Sequence, residues 1–131
     1  MAPTNTRKHA SSKLVPITER AFAFAVRIVK LCKYLEKHTN VSRSVINQLL
    51  DAGTSIGANL EEAVAGQSRA DFIHKNAISL KEARESNFWL RLILATEPLK
   101  PAAKTGILQM VQESSEIAKI VAKRIVTSKN K

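Results

Sequence analysis

The stretch from Gln48 to Ile93 leaves this chain little choice of fold. It reads as two long helices meeting at Gly66-Gln67. Extended back to Val45, the first puts Val45, Leu49, Gly53, Ile56, Leu60, Ala63 and Val64 on one side. Gly53 and Gly57 stand one turn apart on or beside that side. A glycine inside a helix costs about 1 kcal/mol against alanine, so close packing of a neighbouring helix is the expected compensation. Gly66 is the natural stop of the first helix, and Ser68-x-x-Asp71 opens the second like a capping box. That helix closes with Phe88-Trp89-Leu90 and Leu92-Ile93-Leu94, apolar nearly all round. A helix apolar all round needs cover on every side, whereas a four-helix monomer hides one face of each helix. Phe88, Trp89, Leu92 and Ile93 are therefore expected at an interface between copies of the chain.

The flanks supply two more helices. Pro16 and Thr18 mark the start of one, with Thr18 as the expected N-cap. Its apolar rows are Phe22, Ala25, Val29, Cys32 and Phe24, Ile28, Leu31, Leu35. The strip left over carries Arg20, Arg27, Lys30 and Lys37, with Tyr34 among them, and Glu19 and Glu36 offset it only in part. A solvated helix face explains such a ridge as well as a binding surface does. After His38-Thr39-Asn40, either Asn40 or Ser42 can cap the next helix. Past Glu97-Pro98-Leu99-Lys100-Pro101, with Pro101 suited to the first helical position, the last helix has a heptad-like seam: Ile107, Val111, Ser114, Ala118, Val121 and Ile125, thickened by Met110 and Ile117. Its end and tail carry Lys119, Lys123, Arg124, Lys129 and Lys131, some of which suit a helix C-terminus on electrostatic grounds alone.

Short links between long helices imply antiparallel neighbours, hence an all-α, up-down-up-down antiparallel four-helix bundle. Only four Gly and four Pro in 131 residues agree with that reading. The expected organisation is a flexible basic arm over 1–16, a bundle over 17–127 and a basic tail over 128–131. The single Cys32 excludes an internal disulfide, fits a reducing compartment and falls on an apolar helix face, as a buried, inert thiol would. No apolar run is long enough to span a membrane, and the N-terminus lacks a signal peptide's apolar segment. The expected location is cytoplasmic.

The sequence assembles no catalytic arrangement. Glu61-Glu62, Asp71-x-x-His74 and Glu82/Glu85 bring carboxylates to two helices, but a di-metal bundle needs Glu-x-x-His motifs that are missing here. Lys81 and Glu85 read instead as a surface pair one turn apart. Asn59, Asn76 and Asn87 read as interhelical hydrogen-bonding residues. Gly53-Thr54-Ser55-Ile56-Gly57 lacks the Lys-Ser/Thr ending and preceding strand of a phosphate loop. The three histidines are scattered, so no nucleophile and base come together. The expectation is a protein without catalytic residues, metal or cofactor.

The blocks AGTSIGANLEEA (Ala52–Ala63), QSRADFIHK (Gln67–Lys75) and ISLKEARESNFWLRL (Ile78–Leu92) resemble the small bacterial four-helix-bundle family first noticed in intervening sequences of 23S ribosomal RNA genes. The accessory variability (Avd) proteins of diversity-generating retroelements share that fold group. The resemblance covers about residues 18–126. It implies a homo-oligomer, a barrel-shaped pentamer with a basic surface, which in the retroelement members contacts a reverse transcriptase and its RNA or DNA. It carries no catalytic set, and its motifs fall in the second and third helices, away from the basic ridge.

The formal net charge of +10 favours a polyanionic partner. Together with the basic ridge, it predicts a basic adaptor that binds RNA or single-stranded DNA with low sequence specificity. Arg20, Arg27, Lys30, Lys37, Lys123 and Arg124 would neutralise phosphates, and Tyr34 would be the single stacking residue. A reverse transcriptase is the protein partner that the resemblance adds. The alternative is a protein–protein assembly module whose basic surface docks an acidic partner protein.

Overall fold

The computed structural model describes residues 15–65 and 68–131, and these form four helices. They are α1 (Ile17–His38), α2 (Arg43–Val64), α3 (Arg69–Thr96) and α4 (Pro101–Lys129). The architecture is the expected up-down-up-down bundle, in which each helix packs closely on its neighbour in sequence. The fourth side differs. α1 and α4 touch far less than the other adjacent pairs, so the bundle is loose along one seam. None of the described helices is long and apolar enough to cross a membrane.

The helix ends follow local chemistry. Ser42 caps α2, its hydroxyl accepting from the Val45 N–H at 3.2 Å. Ser68 caps α3 in the same way through Asp71 N–H at 3.1 Å, and Pro101 is the first residue of α4. Each cap occupies a backbone group that a helix end leaves unbonded. The start of α1 departs from expectation: the N-cap is Pro16, not Thr18, and no side chain bonds there. Proline fixes a backbone angle compatible with a helix entry, so a cap hydroxyl is not required. The helix of α4 runs to Lys129, two residues into the expected tail. The remainder of the expected arm, residues 1–14, and the Gly66-Gln67 stop lie outside the described residues.

The core is built from Phe24, Ile28 and Leu35 of α1, Leu49, Ile56 and Leu60 of α2, Leu90 and Ile93 of α3, and Ile107, Ile117 and Val121 of α4. In α4 the buried line is Ile107, Met110, Ser114, Ile117 and Val121. The expected seam through Val111, Ala118 and Ile125 is its half-buried edge. Small residues set the helix spacing. A Cβ placed on Gly53 would fall 2.5 Å from Ile28 Cγ1, and one on Gly57 would fall 3.4 Å from the Ala21 backbone. Those distances put α1 directly against the two glycines.

Polar bonds between helices are few and specific. Ser79 of α3 donates to the Ile56 carbonyl of α2 at 2.9 Å. Asn87 reaches α4 and donates to the Val111 carbonyl at 3.0 Å. Asn59 and Asn76, also expected to bridge helices, turn back on their own: Asn59 donates to Ser55 O and Asn76 to Phe72 O. The carbonyl four residues back is the nearest acceptor to a mid-helix Asn, and it wins over a more distant partner.

Candidate functional site

The basic ridge of α1 divides into residues the bundle uses and residues it leaves free. Arg20 belongs to the first group. Its guanidinium ties the start of α1 to the middle of α4, donating through Nη2 and Nε to Glu113 (2.6 and 3.0 Å) and through Nη2 to Glu116 at 2.9 Å. Only 10% of its side chain is exposed. Hydrogen bonds donated to Glu113, outweighing the opposing effect of burial, raise its pKa further above the ordinary arginine value. Arg124 is committed too. It is half-buried, lies 4.9 Å over the Phe72 ring, and is held below the ordinary arginine value by desolvation. Its buried Nη1 has no hydrogen-bond partner among the described residues.

Arg27, Lys30 and Tyr34 come together. They line one groove of about 470 Å³ along the loose α1–α4 seam, with Lys100 on the opposite rim. Its floor is apolar and comes from Leu31, Ile107 and Met110, among others. Arg27 leans across the seam, its Nη2 donating to the Gln109 side chain at 3.1 Å and, at 3.4 Å, to the Gly106 carbonyl. Gly106 has open space where a Cβ would be. Tyr34 is half-buried, with its ring 5.1 Å from that of His38. Among the described residues, neither Arg27, Lys30 nor Lys100 forms an ion pair. The groove therefore presents unneutralised cations above an apolar bed, a surface suited to an anion that carries a flat or greasy body.

The other two cations of the sequence reading lie elsewhere. Lys37 lines a hollow between α1 and α2 with Lys33, Glu36 and Asn47. Lys123 is exposed on the last turns of α4. Sequence reasoning missed Lys100, because it sits in the Pro-flanked link and reaches the groove only when α4 folds back along α1. It also passed over Arg84 and Arg91, and read Lys119 only as a charge near the end of α4; the three stand around a second recess between α3 and α4. The seven-residue spacing of Arg84 and Arg91, which places both on one helix face, was the available signal.

The apolar end of α3 is distributed differently from the expected interface. Ile93 is 1% exposed within the single chain and belongs to its core. Leu92 is half-buried and Trp89 packs against the core, edge-on to Phe88 at 5.1 Å. Phe88 alone of the four is openly exposed, at 48%. Among the described residues, the most exposed large apolar side chains are Val64 (66%) and Phe22 (63%), which share a shallow hollow between α1 and α2 with Thr18, Glu19 and Glu61.

Two further groups titrate away from their ordinary values. Cys32 is buried, its thiol 3.7 Å from the Ile46 carbonyl, and desolvation, with Glu36 nearby, pushes its pKa up to about 11. A thiol so placed stays protonated and unreactive at neutral pH. Glu82 is held above the ordinary glutamate value by burial, then by Glu85 and Asp51, against the opposing pull of Lys81. Lys81, expected to pair with Glu85, forms no ion pair among the described residues.

Comparison with known proteins gives the chain a family. Among curated proteins nothing matches. Among solved structures, a crystal structure from Bacteroides thetaiotaomicron VPI-5482, described as a protein with unknown function from the S23 ribosomal protein family, is similar. It is 40% identical over 84% of this chain and 98% of that one, with a TM-score of 0.76. The family model for the 23S rRNA-intervening sequence protein matches residues 13–123. With that match spanning nearly all of the bundle, the chain belongs to the 23S rRNA-intervening sequence protein family.

Proposed function

We propose that this protein is a non-enzymatic, basic, homo-oligomeric adaptor that binds RNA with low sequence specificity along the α1–α4 seam. The observation that carries the reading is the groove of Arg27, Lys30, Tyr34 and Lys100, whose cations have no acidic partner among the described residues. Cations on a rim neutralise phosphates, and an apolar floor beside a tyrosine accepts an unstacked base. Such a surface reads charge and single-strandedness rather than sequence. Repetition of the groove around an oligomer, in the five-subunit form that the family resemblance implies, would multiply weak contacts into useful avidity. A reverse transcriptase acting on the bound RNA or single-stranded DNA is the partner that the Avd-like resemblance suggests.

A second reading draws on the same apolar floor. Leu31, Ile107 and Met110 beneath a basic rim also fit the apolar face of an acidic helix from a partner protein. One experiment separates the two. Fluorescence anisotropy with a short single-stranded RNA, in a series of salt concentrations, should show binding that falls steeply with salt, with a log–log slope of about −0.7 per phosphate neutralised. Charge reversal of Arg27 and Lys30 together should abolish it. An absence of RNA binding at low salt would overturn the adaptor reading and leave the acidic-protein reading in place.

A further inference from the structure

The face of α4 turned towards α3 carries a recess of about 380 Å³ that shares no residue with the α1–α4 seam. Its floor is made of small side chains, including Ala83, Ala118 and Ala122. Three long cations stand around this hollow: Arg84 and Arg91 from α3 and Lys119 from α4. Among the described residues, no acidic side chain lines it. None of the three cations forms an ion pair among the described residues. Like charges around one recess repel each other, and an anion seated among them would relieve that repulsion.

One side chain organises the recess. Asn87 is half-buried, and the two hydrogens of its Nδ2 are shared among the Val111 carbonyl (3.0 Å), Ser114 Oγ (3.1 Å) and Ser115 Oγ (3.0 Å). Those bonds fix which way the amide points. Its Oδ1 then accepts from Arg91 Nε at 2.8 Å. The guanidinium is gripped by its Nε edge, which leaves its Nη groups available to a ligand. Ser115 accepts from Asn87, so its own O–H remains a donor. A held guanidinium fork, a hydroxyl and an ammonium are the donors that recognise phosphate oxygens.

We infer that the α3–α4 recess is a site for a terminal phosphate group, bound by Arg84, Arg91, Lys119 and Ser115, with Asn87 as the positioning residue for Arg91. The charge balance selects the terminal form. A phosphomonoester carries about −1.5 to −2 at neutral pH and three free oxygens, which suits three cations better than a phosphodiester or a single carboxylate. The phosphate can come from a free phosphorylated small molecule or from the 5′ end of an RNA. The site stands whether or not the α1–α4 seam binds RNA.

Pyrophosphate is the probe that tests it. The full-length, isotope-labelled protein at low salt is titrated with pyrophosphate while the arginine Nε–H and asparagine side-chain amide signals are followed by NMR. Saturable shifts are expected at Arg91 and Asn87, at pyrophosphate concentrations that shift Arg27 only weakly and without saturation. Arg84→Gln and Lys119→Gln alter exposed side chains, should leave the fold intact, and should each weaken binding about ten-fold. Asn87→Ala should weaken it and speed solvent exchange of the Arg91 Nε–H. Ser115→Ala, which keeps the Asn87–Arg91 bond, should weaken binding without changing that exchange. Shifts that never saturate, or that spread alike over every arginine, would overturn the site. Competition then identifies the source: displacement of pyrophosphate by 5′-phosphorylated but not 5′-hydroxyl RNA supports an RNA end, and displacement by neither supports a free phosphorylated molecule. Arg27 and Lys30 variants that lose RNA binding should keep pyrophosphate, so failure of one site is distinguishable from failure of the other.

Discussion

Gly53 faces Ile28 so closely that an added Cβ would lie 2.5, 2.8 and 2.9 Å from three of its side-chain carbons. Ile28 is fully buried and branched at Cβ, so it has little room to turn away. The helix-propensity gain of Gly→Ala is about 1 kcal/mol, whereas forcing an extra carbon into a packed core costs about 1–3 kcal/mol. Gly53→Ala should therefore be neutral to destabilising by about 2 kcal/mol. At Gly57 the nearest atoms are at 3.4–3.5 Å, ordinary contact distances, and Gly57→Ala should be neutral or mildly stabilising. Urea midpoints of the two variants check this contrast. A Gly53→Ala midpoint above that of Gly57→Ala would refute it.

Arg20 should behave as a structural residue. Its bidentate contact with Glu113 is well shielded, while Glu116 is 53% exposed on the side-chain scale and adds little. Replacing Arg20 with Ala should cost about 1–3 kcal/mol of stability. RNA affinity of the folded variant should fall far less than for Arg27→Ala, whose cation is free of carboxylates among the described residues. Thermal denaturation and anisotropy on the same two variants would separate the roles. Equal losses of affinity would return Arg20 to the binding surface.

The contrast between Arg20 and Arg27 shows where the sequence is legible. Ser42, Ser68 and Pro101 act through backbone groups a few residues away, so their roles can be read directly. Glu113 lies 93 positions beyond Arg20, and nothing local announces that the two meet. The same holds for Lys100 at the groove and for the recess around Asn87. In α4 two apolar stripes overlap, and only the neighbours decide which of Met110 and Val111, or Ile117 and Ala118, turns inward. Apolar runs such as Phe88–Leu94 show how much surface needs cover, but not whether α2 and α4 or a second copy supplies it.

Glu82 should make stability depend on pH in the weakly acidic range. Burial and the neighbouring Glu85 and Asp51 raise its pKa in the folded chain above the unfolded value near 4.5. The folded state therefore holds the proton to higher pH than the unfolded state does. Stability from this group is fully present below pH 4.5 and is lost as pH rises through the raised folded value. Glu82→Gln cannot ionise, so it should be more stable than the parent at neutral pH and show a flatter profile across that window. Denaturant unfolding at a series of pH values measures both. An unchanged slope would mean that another carboxylate carries it.

Phe22 and Ile93 should separate assembly from folding. Ile93 is enclosed by its own chain, so Ile93→Ala should destabilise the monomer by about 2–5 kcal/mol. Phe22 and Val64 stand 63% and 66% exposed beside one another at the α1–α2 edge, an apolar surface that a second copy of the chain would cover. Phe22→Glu removes that surface without touching the core, and beside Glu19 and Glu61 it adds like charge. The variant should keep its helical circular dichroism while its mass by light scattering drops towards one chain. Aromatic anchors at interfaces often contribute about 2 kcal/mol or more each, enough to shift a micromolar assembly to dissociation. Retention of the parental mass by Phe22→Glu, together with its loss in Phe88→Glu, would move the contact from the α1–α2 edge to the outer face of α3.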